Sequence, residues 1–382
     1  MLKSIKDPSD LSVTLQAMAQ LQQKADLARP LSQDDVQGIT WQQSALRAAV
    51  FNEVTLNGTQ FHQMRFEQVT FSACDFSQSS FVECEFINCT FVGCKMAQTQ
   101  WKHSQINQCS VTECDFTEAN ITQLIAQGLV LTQCQMPQTQ WQQSQFKDGA
   151  FLSCQLKASA VEQCVFENMA LNEIDFSTLL WHGNRLSQVM MLQCVWSKFV
   201  FADESWQFCT LTQSQLMECE FKGADLKHCN FSKCALSNCL FQQCDLTQTL
   251  FIEASAQQCR WLDTLLPAAN FNQSELVLCR FEKVRADKIL AQDSIISECQ
   301  FDHCDFSMSD FSHGQFLQCD VQFCDFTFAN VHKVQKTGGT WRKNNEKSLR
   351  VTDEVQEEAE CVTHNWAVSA WRKNTQNPLQ GQ

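Results

Sequence analysis

No run of 18 or more apolar residues occurs in this sequence, so it offers no candidate for a bilayer-spanning helix. The opening residues MLKSIKDPSDLSVTLQAM are acidic and polar where an export signal needs an apolar centre,. The expected compartment is therefore the cytoplasm, with export left to a secretion apparatus that carries the folded chain. Glycine is scarce, at 11 residues spread along the chain, and no glycine-rich loop is available to cradle a phosphate. Basic residues are outnumbered, 28 to 42 acidic, for a net charge of −14. That balance opposes direct binding to nucleic acid or anionic membrane.

What is abundant is order. From Trp41 the sequence can be stepped in fives through Leu46, Phe51, Leu56, Phe61, Phe66 and onward to Val331, with no insertion or deletion over 59 positions. Fifty-five of these hold Phe, Leu, Trp, Ile, Val or Met, and the rest are Ala126, Ala256, Ala286 and Ala291. Neither a helix nor an alternating strand has a period of five. Two residues before each large side chain lies a position reserved mostly for small ones, which holds 22 of the 23 cysteines. Cys361 is the exception. Met169, Ile174, Leu179 and Phe199 are oversized for that position, and Glu204 is the one charge in it. A buried unpaired carboxylate is costly, so a local bulge turning Glu204 outward is expected. Ala254 beside Ala256 predicts a thin core. Val284 with Ala286, Ile289 with Ala291, and Leu124 with Ala126 exchange large and small instead.

The triplets Cys74-Asp75-Phe76, Ala224-Asp225-Leu226, Cys304-Asp305-Phe306, Ala269-Asn270-Phe271 and Ala329-Asn330-Val331 resemble the pentapeptide-repeat family. The resemblance covers residues 41–331. It implies an all-β solenoid, a right-handed quadrilateral β-helix with four pentapeptides to the coil and about 15 coils. Such a rod needs closed ends. Residues 1–40 are expected to form an N-terminal helical cap, with an amphipathic helix over 9–28. Residues 332–382 are expected to form a basic linker and a C-terminal amphipathic helix over 351–373.

Cysteines recurring at the same place in successive coils, as Cys219, Cys239 and Cys259 do, invite a metal reading. The phenylalanines and leucines filling the same coils argue for small buried hydrophobes instead, and parallel Cα–Cβ vectors disfavour disulfides. His62, His103, His182, His228, His303 and His313 fall at outward positions, across the wall from the cysteines. No catalytic constellation, metal site or cofactor is therefore expected, and the protein is not read as an enzyme.

Candidate partner contacts are Phe323 and Phe328, outward on the last coils, with Trp366 and Trp371 on the terminal helix. These aromatics are explained either by docking of that helix or by a partner or dimer contact through it. The resemblance implies two kinds of protein partner. Long members rich in Cys and Phe accompany type VI secretion spike and cargo-adaptor proteins, as scaffolds. Quinolone-resistance members mimic DNA and bind gyrase or topoisomerase IV. Residues 41–331 carry 31 acidic and 16 basic residues, which suits mimicry, but no loop interrupts the register.

Overall fold

A period of five can bury one large and one small side chain per segment only if the chain turns a corner after each segment. The computed structural model shows this, and describes residues 23, 31–32, 37–202, 204–355 and 357–360. Each flat side is a two- or three-residue strand or a single bridge. Each side pairs in parallel with the same side of the next coil, as Phe61 with Phe81 and Phe81 with Trp101, except between Gln155 and Asp175 and between Leu180–Ser187 and the coil that follows. The result is an all-β parallel solenoid of about 15 coils. Of the helix expected over 9–28, only Gln23 is described, and it is helical. The remainder lies outside the described residues.

Corners impose a backbone cost. The second residue after nearly every large core position has positive φ, as in Gln43 (52°), Glu83 (54°) and Lys233 (59°), with Thr178 an exception. Left-handed backbone costs a non-glycine residue about 1–2 kcal/mol. The corner amide recovers part of this by donating to the coil ahead: Gln43 N to His62 O at 3.0 Å, Glu83 N to Lys102 O at 2.9 Å. Side chains add ladders outside, such as Gln43 to Gln63 and Gln63 to Glu83.

Inside, rings stack at the strand spacing. Phe221, Phe241, Trp261 and Phe281 form one column, with centroids 4.9, 5.4 and 4.5 Å apart and nearly parallel planes. The cysteines serve as small buried donors. Cys234 Sγ reaches Leu211 O and Cys239 Sγ reaches Leu216 O, both in the preceding coil. Ser79 and Ser214 make the equivalent bond through Oγ to Leu56 O and Met191 O. Small size and a weak donor explain the position. The thin core expected at Ala254 and Ala256 is closed to solvent. Voids of about 30 and 20 Å³ lie around Ile106, Val111 and Leu124, and around Ala286, Ile289 and Ala291. The large–small exchange at the latter three does not fully restore packing.

Two expectations need correction. The boundaries at 40 and 332 are too narrow, because the coil geometry begins with Leu31 paired to Phe51 and runs to Arg350 paired with Asn330. After Val331 the period persists with different residues: Lys336, Trp341 and Glu346 take the large position, Gly339 and Asn344 the small one. Lys336 Nζ sits 3.7 Å from the Trp341 ring centre, a cation–π contact. A Cβ on Gly339 would lie 2.0 Å from Cys319 O, so only glycine closes the coil there. Charge in the inward position gives the rod an end that a second rod cannot extend.

The second correction concerns Glu204. It does not bulge away from an intact wall; the wall itself opens. Up to Ser187, three sides of each coil are strands, and from Val195 only two are. Where the patterns meet, Leu180–His182 and Arg185–Ser187 end their sheets, while Val200–Ala202 begins another. The opposite sides stay joined, through Leu171 N to Met190 O and Phe176 N to Val195 O. Leu179 and Phe199 are successive members of the column that holds Ser159 before them and Cys219 after. Phe199 stacks on Phe201 at 5.5 Å. Two oversized neighbours in a column built for Ser or Cys overpack it and prop the coils apart on that side.

Candidate functional site

Of the four aromatics singled out in the sequence, Phe323 and Phe328 are described, both at the C-terminal end of the solenoid. Phe323 and Phe328 are positive-φ corner residues on adjacent sides, and their rings point outward, 42% and 49% exposed. Phe323 lies between His303, stacked at 4.8 Å, and Lys343 Nζ, 5.0 Å from its centre. Such flanking fixes the ring's pose and leaves its outer edge free. Trp366 and Trp371 lie outside the described residues. The described start of the expected helix, residues 354–355 and 357–360, is helical. Asp353 Oδ1 accepts the Val355 amide at 2.9 Å, as a capping residue does,. Val351 and Val355 are exposed, so over these residues the apolar stripe is not buried on the rod.

That helix is held by charge. Glu360 Oε2 receives Lys333 Nζ at 2.9 Å and lies 3.4 Å from His332 Nε2 and 3.6 Å from His313 Nε2. His313, His332 and Glu360 were not linked by the sequence pattern. Their only signal was that His313 and His332 fall almost one full coil apart in the chain. The trio has the geometry of metal ligands, but the fit is poor. Lys333 already supplies a cation, and His332 Nδ1 accepts the Asp353 amide at 3.3 Å. The Nε2 facing Glu360 is therefore the protonated nitrogen, without a lone pair for a metal. The cluster fastens the helix to the last coil.

The repeat cysteines are buried and unpaired. Burial pushes Cys194, Cys209 and Cys234 up to about 12, far from the thiolate that nucleophilic or metal chemistry needs. The opened wall is a polar concavity of about 610 Å³, lined by Trp181, His182, Asn184, Arg185, Glu167 and Glu204 among others. Glu204 is half-buried, accepts Trp206 Nε1 at 3.0 Å, and has its carboxyl raised by desolvation. Sequence reasoning marked Glu204, Leu179 and Phe199 one by one, as exceptions to the small position.

Among the described residues, no helix is long and apolar enough to cross a membrane. A comparison with curated proteins gives no match. Among solved structures, the chain is similar to QnrB1, a plasmid-mediated fluoroquinolone resistance protein, at 15% identity, TM-score 0.29, over 47% of this chain and 98% of that one. It is similar to HetL, a pentapeptide repeat protein involved in heterocyst differentiation regulation in the cyanobacterium Nostoc, at 14% identity, TM-score 0.18, over 58% and 87%. A mannuronic acid specific polysaccharide lyase from human gut microbiota gives 10% identity, TM-score 0.32, over 70% and 85%. The family model for the pentapeptide repeat region matches residues 64–136 and 214–291. The period of five and the four sides to the coil give the described chain the fold of a pentapeptide-repeat β-helix.

Proposed function

We propose that this protein is a non-enzymatic interaction scaffold whose C-terminal end docks a protein partner. The observation that supports this reading is the exposure of Phe323 and Phe328 on rigid corners of the last coils, with Val351 and Val355 after them also uncovered. Rigid aromatic rings lose little entropy on burial and serve as binding anchors. Trp366 and Trp371 are further partner anchors in this proposal. A secretion spike or cargo-adaptor protein is the partner class favoured by the sequence resemblance. A type II topoisomerase gripping the acidic rod itself is the competing class.

The experiment is a pull-down with the full chain, a 1–350 truncation that keeps the last coil, and the Phe323→Ser/Phe328→Ser double variant. Recovery of spike or adaptor proteins by the full chain, with loss in both variants, is the expected result. Equal recovery by folded truncation and double variant would overturn the C-terminal site. Recovery of gyrase or topoisomerase subunits by all three would replace the proposal with DNA mimicry.

A further inference from the structure

Apart from its C-terminal end, the rod has an opened wall with the features of a strand-accepting site. In the complete coil below it, Leu180 N donates to Ser159 O, Gln163 N to His182 O, and Arg185 N to Cys164 O, at 2.8–2.9 Å. One coil later the corresponding bonds, Val200 N to Leu179 O, Gly183 N to Ala202 O and Ser205 N to Asn184 O, do not form. The lips thus present backbone donors and acceptors of both kinds toward one gap. Cα atoms of Leu180–His182 and Val200–Ala202 lie mostly more than 8 Å apart, where paired strands lie about 4.8 Å apart. One inserted strand needs two such spacings, about 9.6 Å.

We infer that this cleft binds an extended peptide segment of a partner protein as an inserted strand, with one large apolar side chain turned inward over Trp181. Trp181 is the one large-position residue between Trp41 and Phe326 that is not buried, so the core itself is uncovered at this point. Leu180 and Val200, one on each lip, are 68% and 58% exposed, and a strand between them would cover both. Glu204 supplies a further acceptor. Its column neighbour Asn184 shows the role, since Asn184 Oδ1 accepts the amide of Cys164, one coil earlier, at 2.8 Å. With the wall open, Glu204 has no such amide before it and turns to Trp206. Charges of both signs line the gap, Arg185 against Glu167 and Glu204, so the backbone and the inward apolar residue carry recognition, as in other strand additions.

The probe is a fluorescently labelled peptide copying residues 139–146, whose Gln140–Gln142 strand pairs on both edges on this same side of the rod. Polarisation with the full chain should show saturable binding. Proline in place of the peptide's Gln140 and Gln142 removes two amides and should weaken it by about tenfold or more, the weight of one to two hydrogen bonds. Leu179→Ser with Phe199→Cys restores the column's ordinary residues, should close the wall, and should abolish binding while the chain stays folded. Hydrogen exchange gives the independent readout. Amides of Gly183, Val200 and Ser205 should exchange fast in the free protein and slow with peptide. If they are already as protected as those of Leu180, Gln163 and Arg185, or if the proline peptide or double variant binds equally well, the inference fails.

Discussion

Replacing Phe241 and Phe323 by alanine, separately, tests whether the two faces of the wall do different work. Phe241 has no exposed surface and stacks on Phe221 at 4.9 Å and Trp261 at 5.4 Å. A buried phenylalanine hides about 150–250 Å², which at about 25 cal/mol per Å² is roughly 4–6 kcal/mol. Measured truncations of this kind cost about 3–5 kcal/mol, the cavity included. Phe323 keeps 42% of its surface exposed and touches His303 and Lys343, so its truncation should cost about 1 kcal/mol or less. The assay is urea unfolding followed by tryptophan fluorescence, since Trp261 lies in the Phe241 column. Coils interact only with their neighbours, so Phe241→Ala should also split the transition, the coils around 221–261 melting first. Equal losses for the two variants would mean that Phe323 is part of the packing and is not available to a partner.

Two further outcomes follow from groups in unusual surroundings. The 22 repeat thiols should resist iodoacetamide at pH 8 in the native protein and react in full once urea unfolds it, because every one of them is buried away from the reagent; mass spectrometry showing fast native labelling of any of them would contradict the closed core. Glu204 binds its proton more tightly in the folded chain than in the unfolded one, chiefly through desolvation. Stability from this group is therefore gained as pH falls through the folded value and lost as it rises again. Glu204→Gln should raise the melting temperature at pH 7 and flatten the pH dependence above the ordinary carboxylate range, and a variant less stable than the parent at pH 7 would refute this.

The repeat was legible because one short-range rule, large inward and small two residues before, is enforced at every corner by the same narrow tube. The family pattern at Cys74-Asp75-Phe76 and its later copies then supplied the coil. The extension to Arg350 was hidden because Lys336 and Glu346 break the apolar rule while Trp341 and Gly339 keep its phase. Polar residues are tolerated there since no described coil stacks on the last one. The opened wall was legible only in pieces. Leu179 and Phe199 are far from adjacent in the chain, and their overpacking exists only once successive coils place them in one column. The Glu360 cluster needed the chain to fold back across the last coil, which no local pattern records.

The unbroken phase from Trp41 to Val331 also restricts how such a chain can change its length. Removing one whole coil anywhere inside it would leave every remaining side chain in its own column, as Phe221 and Phe241 occupy equivalent places. Removing a single pentapeptide would rotate everything downstream by a quarter turn, setting cysteine columns against unrelated ones while keeping the interior apolar. Removing part of a pentapeptide would bring corners into walls and polar residues into the tube. Length in this protein is a quantity counted in whole coils, and its ancestry is expected to have moved in the same steps.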